Sequence, residues 1–249
     1  MKVTFKDATL LRDVITALCQ VNDTVYIIPE DNRIRFWTID NTMALLIQVT
    51  LNEADFSDYE KGDLELMPIA LNDLKKIMSK VRSGDAVTLE FLPSNQVCVR
   101  VGGRYPLKIK MPLRIEELPY VEVTSLDYDT TVVLYGVLLN DILKIMKDFT
   151  AELRITALPE KIIFKAISKE YELESELDPQ NDFVKAYETV NGAKAVYSVA
   201  YLLSIMRGIK PNDLVTIEFG SDMPMHIRRP AGNDSEMEWW LAPRVEDEG

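Results

Sequence analysis

The sequence predicts an α+β protein made by internal duplication, with two similar domains that each carry antiparallel sheets and two helices. Three observations predict it. First, one stretch recurs at a constant offset of 128 positions in a chain of 249. Leu74, Ile77, Met78, Asp85, Val87, Thr88, Glu90 and Phe91 are matched by Leu202, Ile205, Met206, Asp213, Val215, Thr216, Glu218 and Phe219, through eighteen positions without a gap. Second, the same offset pairs Leu10, Leu11, Asp13, Val14, Val25, Ile27, Ile34 and Phe36 with Leu138, Leu139, Asp141, Ile142, Leu153, Ile155, Ile162 and Phe164, each pair identical or apolar for apolar. Third, each half alternates strand patterns with short helical ones, as expected when one fold unit is fused to its own copy.

In chain order, strands are predicted at Val3–Phe5, Thr24–Ile28, Ile34–Ile39, Ala44–Leu51, Ala86–Phe91, Gln96–Val101 and Leu107–Met111, several of them alternating polar and apolar. Helical spacing at Leu10, Leu11, Val14, Ile15 and Leu18 predicts a first helix. The same spacing at Leu71, Leu74, Ile77, Met78 and Val81 predicts a second, with Asn72 as its N-cap. Leu138, Leu139, Ile142, Ile145 and Met146 repeat the first, and Leu202, Ile205, Met206 and Ile209 the second, with Ser198 at the capping end. Asp31-Asn32, Ser83-Gly84-Asp85, Pro93-Ser94-Asn95, Gly102-Gly103 and Asn191-Gly192 suit hairpins and short loops, so the sheets should be mainly antiparallel. From Arg114 to Leu126 the pattern weakens, and Pro119 with its acidic neighbours favours an extended connector. The expected organisation is a domain over residues 1–117, a connector over 118–126 and a second domain over 127–249.

Each half exceeds 100 residues, enough to bury a core. Hydrophobic residues make up 47% of the chain, yet no apolar run approaches the roughly eighteen residues of a membrane span, and the N-terminus does not resemble a signal peptide. A soluble, cytoplasmic protein without membrane association is expected. Cys19 falls in a helical pattern and Cys98 in a strand pattern, which reads as buried, reduced thiols.

The net charge of −12 argues at first against nucleic acid. It is unevenly distributed. Helical windows 8–21, 70–83, 136–149 and 196–210 hold nine basic residues: Arg12, Lys75, Lys76, Lys80, Arg82, Lys144, Lys147, Arg207 and Lys210. Against them stand only Asp13, Asp73, Asp141 and Asp148, so the windows carry +5 and the rest of the chain −17. Lysines can simply coat the solvent side of an amphipathic helix. The same bias in helices related by duplication would instead make one positive surface on an acidic body, able to attract phosphate without reading bases.

Catalytic chemistry is poorly represented. His226 is the single histidine and sits in an alternating strand pattern, so a satisfied structural role is expected and no histidine metal cluster can be built. Gly102-Gly103 reads as a hairpin turn, not a phosphate loop. Glu53, Asp55, Asp58, Glu60, Asp63 and Glu65 could in principle serve a metal-dependent hydrolase, but their irregular spacing in a polar loop reads as solvated charge. No catalytic residue, metal or cofactor is assigned.

With these features in place, the chain resembles the DNA sliding clamps of the proliferating cell nuclear antigen family, archaeal type. The strongest match is Trp239-Trp240-Leu241-Ala242-Pro243-Arg244-Val245-Glu246, similar to the family's aromatic-leucine-alanine-proline-basic ending with an acidic tail. Gly220-Ser221-Asp222-Met223-Pro224-Met225, the Ala200-Tyr201-Leu202 helix start and Ile39-Asp40-Asn41-Thr42 support it, and the resemblance covers the whole chain. Departures are Asn32, where a glycine is usual and a left-handed backbone is still accessible, the stretch Asn41-Thr42-Met43, and Arg12 beside Asp13 where adjacent basic residues are common.

The resemblance implies a ring of three subunits without catalytic activity: helices line a central hole, sheets form the outside, and polymerase gains processivity because the ring encircles duplex DNA. The nine basic residues named above would face the duplex. Peptides from polymerase, clamp loader, flap endonuclease and DNA ligase would enter a pocket of Ile39, Met43, Leu118, Pro119, Pro224, Trp240, Ala242 and Pro243, pairing with Val245 and Glu246. Subunits would join through the strand Leu107–Met111 of one and Tyr171–Leu177 of the next, as a homotrimer or with paralogous subunits. An acidic adaptor of the same fold that binds proteins without encircling DNA is the alternative.

Overall fold

The computed structural model describes residues 1–63, 66–113, 119–124 and 126–245. The first half runs β1 (Lys2–Phe5), α1 (Ala8–Leu18), β2 (Thr24–Pro29), β3 (Arg33–Ile39), β4 (Leu45–Asn52), β5 (Phe56–Glu60), β6 (Met67–Ala70), α2 (Leu71–Met78), β7 (Val87–Leu92), β8 (Gln96–Val101) and β9 (Leu107–Pro112). The second runs β10 (Thr130–Tyr135), α3 (Gly136–Met146), β11 (Glu152–Leu158), β12 (Lys161–Ala166), β13 (Glu174–Leu177), β14 (Val184–Thr189), β15 (Ala193–Ser198), α4 (Val199–Met206), β16 (Leu214–Phe219), β17 (Met225–Pro230) and β18 (Glu236–Leu241). They form two compact units. One holds Met1–Asn41, Leu46–Tyr120 and Pro230–Met237, the other Thr42–Leu45, Val121–Arg229 and Glu238–Gly249.

Both units share one topology. The strand run β5-β1-β7-β8-β9 corresponds to β14-β10-β16-β17-β18, and β4-β3-β2-β6 to β13-β12-β11-β15. The 128-residue offset survives in the pairing itself. Tyr26 opposes Trp37 as Arg154 opposes Lys165, Thr24 opposes Ala70 as Glu152 opposes Ser198, and Thr88 opposes Arg100 as Thr216 opposes Arg228, all antiparallel.

The helices form because apolar residues recur at three and four positions. Leu11, Val14, Ile15 and Leu18 of α1 are buried, and α1 packs beside α2, whose Leu71, Leu74 and Met78 are buried as well. Leu139, Ile142, Leu143 and Met146 of α3, with Val199, Leu202, Ile205 and Met206 of α4, repeat this in the second unit. Truncating one such buried leucine to alanine would cost on the order of 2–5 kcal/mol.

Helix starts are held mostly from outside. The first helical N–H of α1, Ala8, donates to the Asp85 carbonyl oxygen at 2.9 Å, and that of α3, Gly136, to Asp213 at 2.9 Å. Leu71 of α2 donates to Asp23 at 2.8 Å and Val199 of α4 to Ala151 at 3.0 Å. Distant carbonyls thus satisfy donors that side chains satisfy elsewhere. Among the described α-helices only α1 has a side-chain cap: Asp7 accepts from Thr9 N at 2.7 Å and also from Gly84 N at 2.9 Å. Those backbone donors, Gly84 first, hold the Asp7 carboxyl below its usual range. Asn72 is not an N-cap. It lies inside α2, whose cap position is Ala70, and Ser198 occupies the α4 cap without a side-chain bond.

Other expectations are corrected. The carboxylate stretch is not a loop, since residues Glu53–Asp55 form a 3-10 turn and Phe56–Glu60 pairs with β1, but Glu53, Asp58, Glu60 and Asp63 are exposed as expected of solvated charge. Asp55 is buried, accepting from Asn233 N at 3.0 Å, Asn233 Nδ2 at 3.2 Å and the Ser235 hydroxyl. Glu65 lies outside the described residues. Asn32 does not take a left-handed φ; Met43, Asn95, Asp222 and Asp234 do. Cys98 is buried as expected, but Cys19 is only half-buried, and both are free thiols. No described helix is long and apolar enough to cross a membrane.

Candidate functional site

Helical periodicity separates apolar from basic residues. In α2 the buried Leu71, Leu74 and Met78 leave Lys75 and Lys76 exposed, with Lys80 and Arg82 exposed just beyond the helix end. In the second unit Lys144, Lys147, Arg207 and Lys210 are exposed. Lys76 lies 3.6 Å from Asp73 and Lys144 3.8 Å from Asp141, solvent-exposed pairs that restrain the ammonium groups little.

Arg12 is the exception. It is half-buried, and its guanidinium donates to the carbonyl oxygens of Met78, at 3.4 Å, and Val81. It therefore closes the C-terminal end of α2, where helix carbonyls carry partial negative charge. No sequence signal distinguished that use from a solvent-facing one.

Two sheet edges differ sharply in charge. The β9 edge exposes Lys108 and Lys110, with Arg104 in the preceding turn. The β13 edge exposes Glu174 and Glu176, with Glu172 just before it. Exposed apolar groups accompany each: Tyr105 and Leu107 at β9; Phe149, Tyr171 and Ile145 in the unit that carries β13. The Phe149 and Tyr171 rings meet edge to face at 5.5 Å. Ile145 has the spacing of a core position yet is 57% exposed, so periodicity alone mis-sorts it.

The residues expected to receive peptides are distributed between the units. In the first unit Ile39 is buried, its carbonyl accepting from Asn22 Nδ2 at 2.8 Å, and Pro119 is exposed. Beside Pro119, the Tyr120 ring lies tilted against Trp37 with centroids 5.0 Å apart, a contact periodicity does not announce. Leu118 and Glu246 lie outside the described residues.

In the second unit the tail is anchored by backbone bonds, Ala242 N to the Ala44 oxygen at 2.8 Å and Arg244 N to the Val196 oxygen at 2.7 Å. The first bond places Ala242 beside the exposed Met43. Pro224, Trp240 and Pro243 are half-exposed and Val245 is exposed. Trp239 and Trp240 alternate as a strand requires, the first into the core and the second outward.

Trp240 stands in a polar aromatic group. His226 stacks flat on it, with ring centroids 4.6 Å apart, and also stacks on Tyr128. The His226 ring nitrogens meet Glu218 and Glu238. Burial, then Glu218, push Tyr128 up to about 12, and its buried hydroxyl has no hydrogen-bond partner among the described residues. Among the described residues no group of three or more His, Cys, Asp or Glu side chains is arranged to hold a metal ion.

Comparison with known proteins gives a consistent result. The family model for the N-terminal domain of proliferating cell nuclear antigen matches residues 1–98. The DNA polymerase sliding clamp of Pyrococcus furiosus is 26% identical over 247 residues, 99% of each chain. That of Thermococcus onnurineus is 27% identical over 248 residues, again 99% of each. The crystal structure of PCNA from Thermococcus kodakaraensis superposes with a TM-score of 0.90 at 27% identity, covering 98% of this chain and 99% of that one. A PCNA2-PCNA3 complex from Sulfolobus tokodaii has a chain with the same fold, TM-score 0.87 at 22% identity, covering 99% of this chain and 100% of that one.

Proposed function

We propose that the chain is a member of the proliferating cell nuclear antigen family of DNA sliding clamps, a polymerase processivity factor whose copies close into a three-subunit ring around duplex DNA. The observation that carries the reading is the sorting of charge: each unit pairs two helices and exposes basic residues on or beside them, while the rest of the chain is acidic. Mobile contacts from Lys75, Lys76, Lys80, Arg82, Lys144, Lys147, Arg207 and Lys210 to phosphates would be sequence-independent and weak enough for sliding. Arg12 would contribute through α2 instead. Closure of the ring, not affinity, would retain the protein, and no catalytic step is required of it.

Ring closure is supported by the two edges. Pairing β9 of one copy with β13 of the next would remove two open sheet edges, set Lys108 and Lys110 against Glu174 and Glu176, and cover the exposed apolar groups. Both halves of that interface occur in one chain, which favours a homotrimer. Peptides from polymerase, clamp loader, flap endonuclease and ligase would dock on Met43, Pro224, Trp240, Ala242, Pro243 and Val245.

The test is topological. After loading onto nicked circular DNA, the protein should stay bound at salt concentrations that strip it from linear DNA, and cutting the circle should release it. Equal loss from circles and linear DNA would overturn the ring and favour an adaptor.

A further inference from the structure

We infer that His226 is a positioning residue of the peptide surface, fixing the Trp240 ring in the orientation that a partner's aromatic anchor meets; the inference rests on the reading of that surface given above. His226 lies on β17 directly opposite Glu218 of β16. Its Nδ1 is 2.9 Å from Glu218 Oε2 and its Nε2 is 3.2 Å from Glu238 Oε1, and Glu218 is in turn 3.6 Å from Arg228 Nε. Each ring nitrogen thus lies within hydrogen-bond reach of a carboxylate, so whichever nitrogen carries a proton has an acceptor and the ring cannot rotate without breaking that bond. A neutral ring donates to one of these carboxylates, and an imidazolium donates to both.

The ring so held lies against Trp240 with planes 8° apart, and it stacks on Tyr128 at 6.2 Å and 24°. Glu238 precedes Trp240 by two positions, so β18 supplies both the indole and one tether of the imidazole that covers it. Trp239 is enclosed by the core and needs no such support, whereas the half-exposed Trp240 would otherwise sample several rotamers. Restricting them before a partner arrives removes an ordering cost from binding.

The probe is a labelled synthetic peptide carrying two adjacent phenylalanines. His226→Ala should raise its Kd about five-fold, His226→Phe, which keeps a flat ring but loses both tethers, should recover only part of the affinity, and Trp240→Ala should lose more than either. In protein labelled with fluorotryptophan, His226→Ala should shift and broaden the Trp240 fluorine resonance while those of Trp37 and Trp239 stay in place. Should His226→Ala not fold, Glu218→Gln with Glu238→Gln leaves every ring present and should raise Kd about three-fold. Wild-type affinity in these variants, with Trp240→Ala still impaired, overturns the positioning role alone. Undiminished binding by Trp240→Ala overturns the peptide surface and the inference with it.

Discussion

Gly136 donates its backbone N–H to the Asp213 carbonyl oxygen at 2.9 Å, the counterpart of the bond from Ala8 to Asp85. The two copies differ at the α carbon. A Cβ on residue 136 would meet Ile209 Cγ2 at 2.6 Å and the Lys210 carbonyl oxygen at 2.7 Å, and the latter is backbone that cannot swing aside. In an open helix Gly→Ala gains about 1 kcal/mol. Here overpacking should reverse the sign, and Gly136→Ala is expected to destabilise by about 1–3 kcal/mol in urea denaturation. A midpoint at or above that of the wild type would show that the Ile209–Lys210 segment yields.

The two units close the end of their second helix by different means. In the first, Arg12 reaches from α1 to the Met78 and Val81 carbonyls. Its counterpart by offset is Asn140, and in the second unit the buried Arg229 of β17 donates to the Gly208 carbonyl oxygen at 2.8 Å and lies 3.4 Å from Asp213. Arg229→Met should cost about 3 kcal/mol, because Gly208 and Asp213 both lose a charged donor. Arg229→Lys should recover only part, lacking the planar fork. Thermal unfolding checks both, and an unchanged Tm in Arg229→Met would mean that water replaces the guanidinium.

What was legible in the sequence follows from how local each signal is. All seven strands predicted in the first half are present to within two residues, since alternation records which face is buried. The two unpredicted strands lack that record. Phe56–Glu60 is an edge strand with mostly exposed side chains, and Met67–Ala70 has four residues, one of them Pro68. Asn72 misled because capping rules assume that a helix satisfies its own donors, whereas Asp23 supplies the acceptor for Leu71 from outside. Trp240 was legible through the family ending, but its contact with His226 depends on which strands lie together, and no periodicity states that.

The basic residues make a prediction that separates charge from assembly. Changing Lys76, Lys80, Lys144 and Arg207 together to alanine should weaken clamp-stimulated DNA synthesis, and the salt dependence of DNA association should fall by about one unit of slope per lost phosphate contact. Light scattering should give the same mass as the wild type, since none of these residues lies on β9 or β13. Stimulation at the wild-type level would remove these four from the DNA-facing surface.

Complementary edges predict a specific rescue. Lys108→Glu with Lys110→Glu places like charges against Glu174 and Glu176 of a neighbour and should reduce the mass from about three times 28.4 kDa to that of the single chain. Adding Glu174→Lys and Glu176→Lys to the same chain restores opposite charge at every interface and should restore the trimer. Mixing two separately swapped chains should not, because alternation cannot close a ring with an odd number of members. Trimer in the first variant would mean that these edges do not meet.

Glu30 and Tyr59 form a corner that should weaken at both ends of the pH scale. Burial of Glu30 favours its neutral form, but hydrogen bonds from Arg33 and Arg35 outweigh that and hold the carboxyl below its ordinary 4.5. A carboxyl lowered on folding stabilises fully above 4.5 and loses that contribution as pH falls through the folded value. Tyr59 donates its hydroxyl to the Glu30 carbonyl oxygen at 2.5 Å, and burial, then Glu30 and Asp31, push it from 10.0 up to about 12. A tyrosine raised on folding stabilises fully below 10.0, and its contribution fades as pH climbs toward 12. Urea denaturation across pH should therefore show a shallower acid decline in Glu30→Gln than in the wild type and a shallower alkaline decline in Tyr59→Phe. Parallel profiles for all three proteins would mean that other groups set both limits.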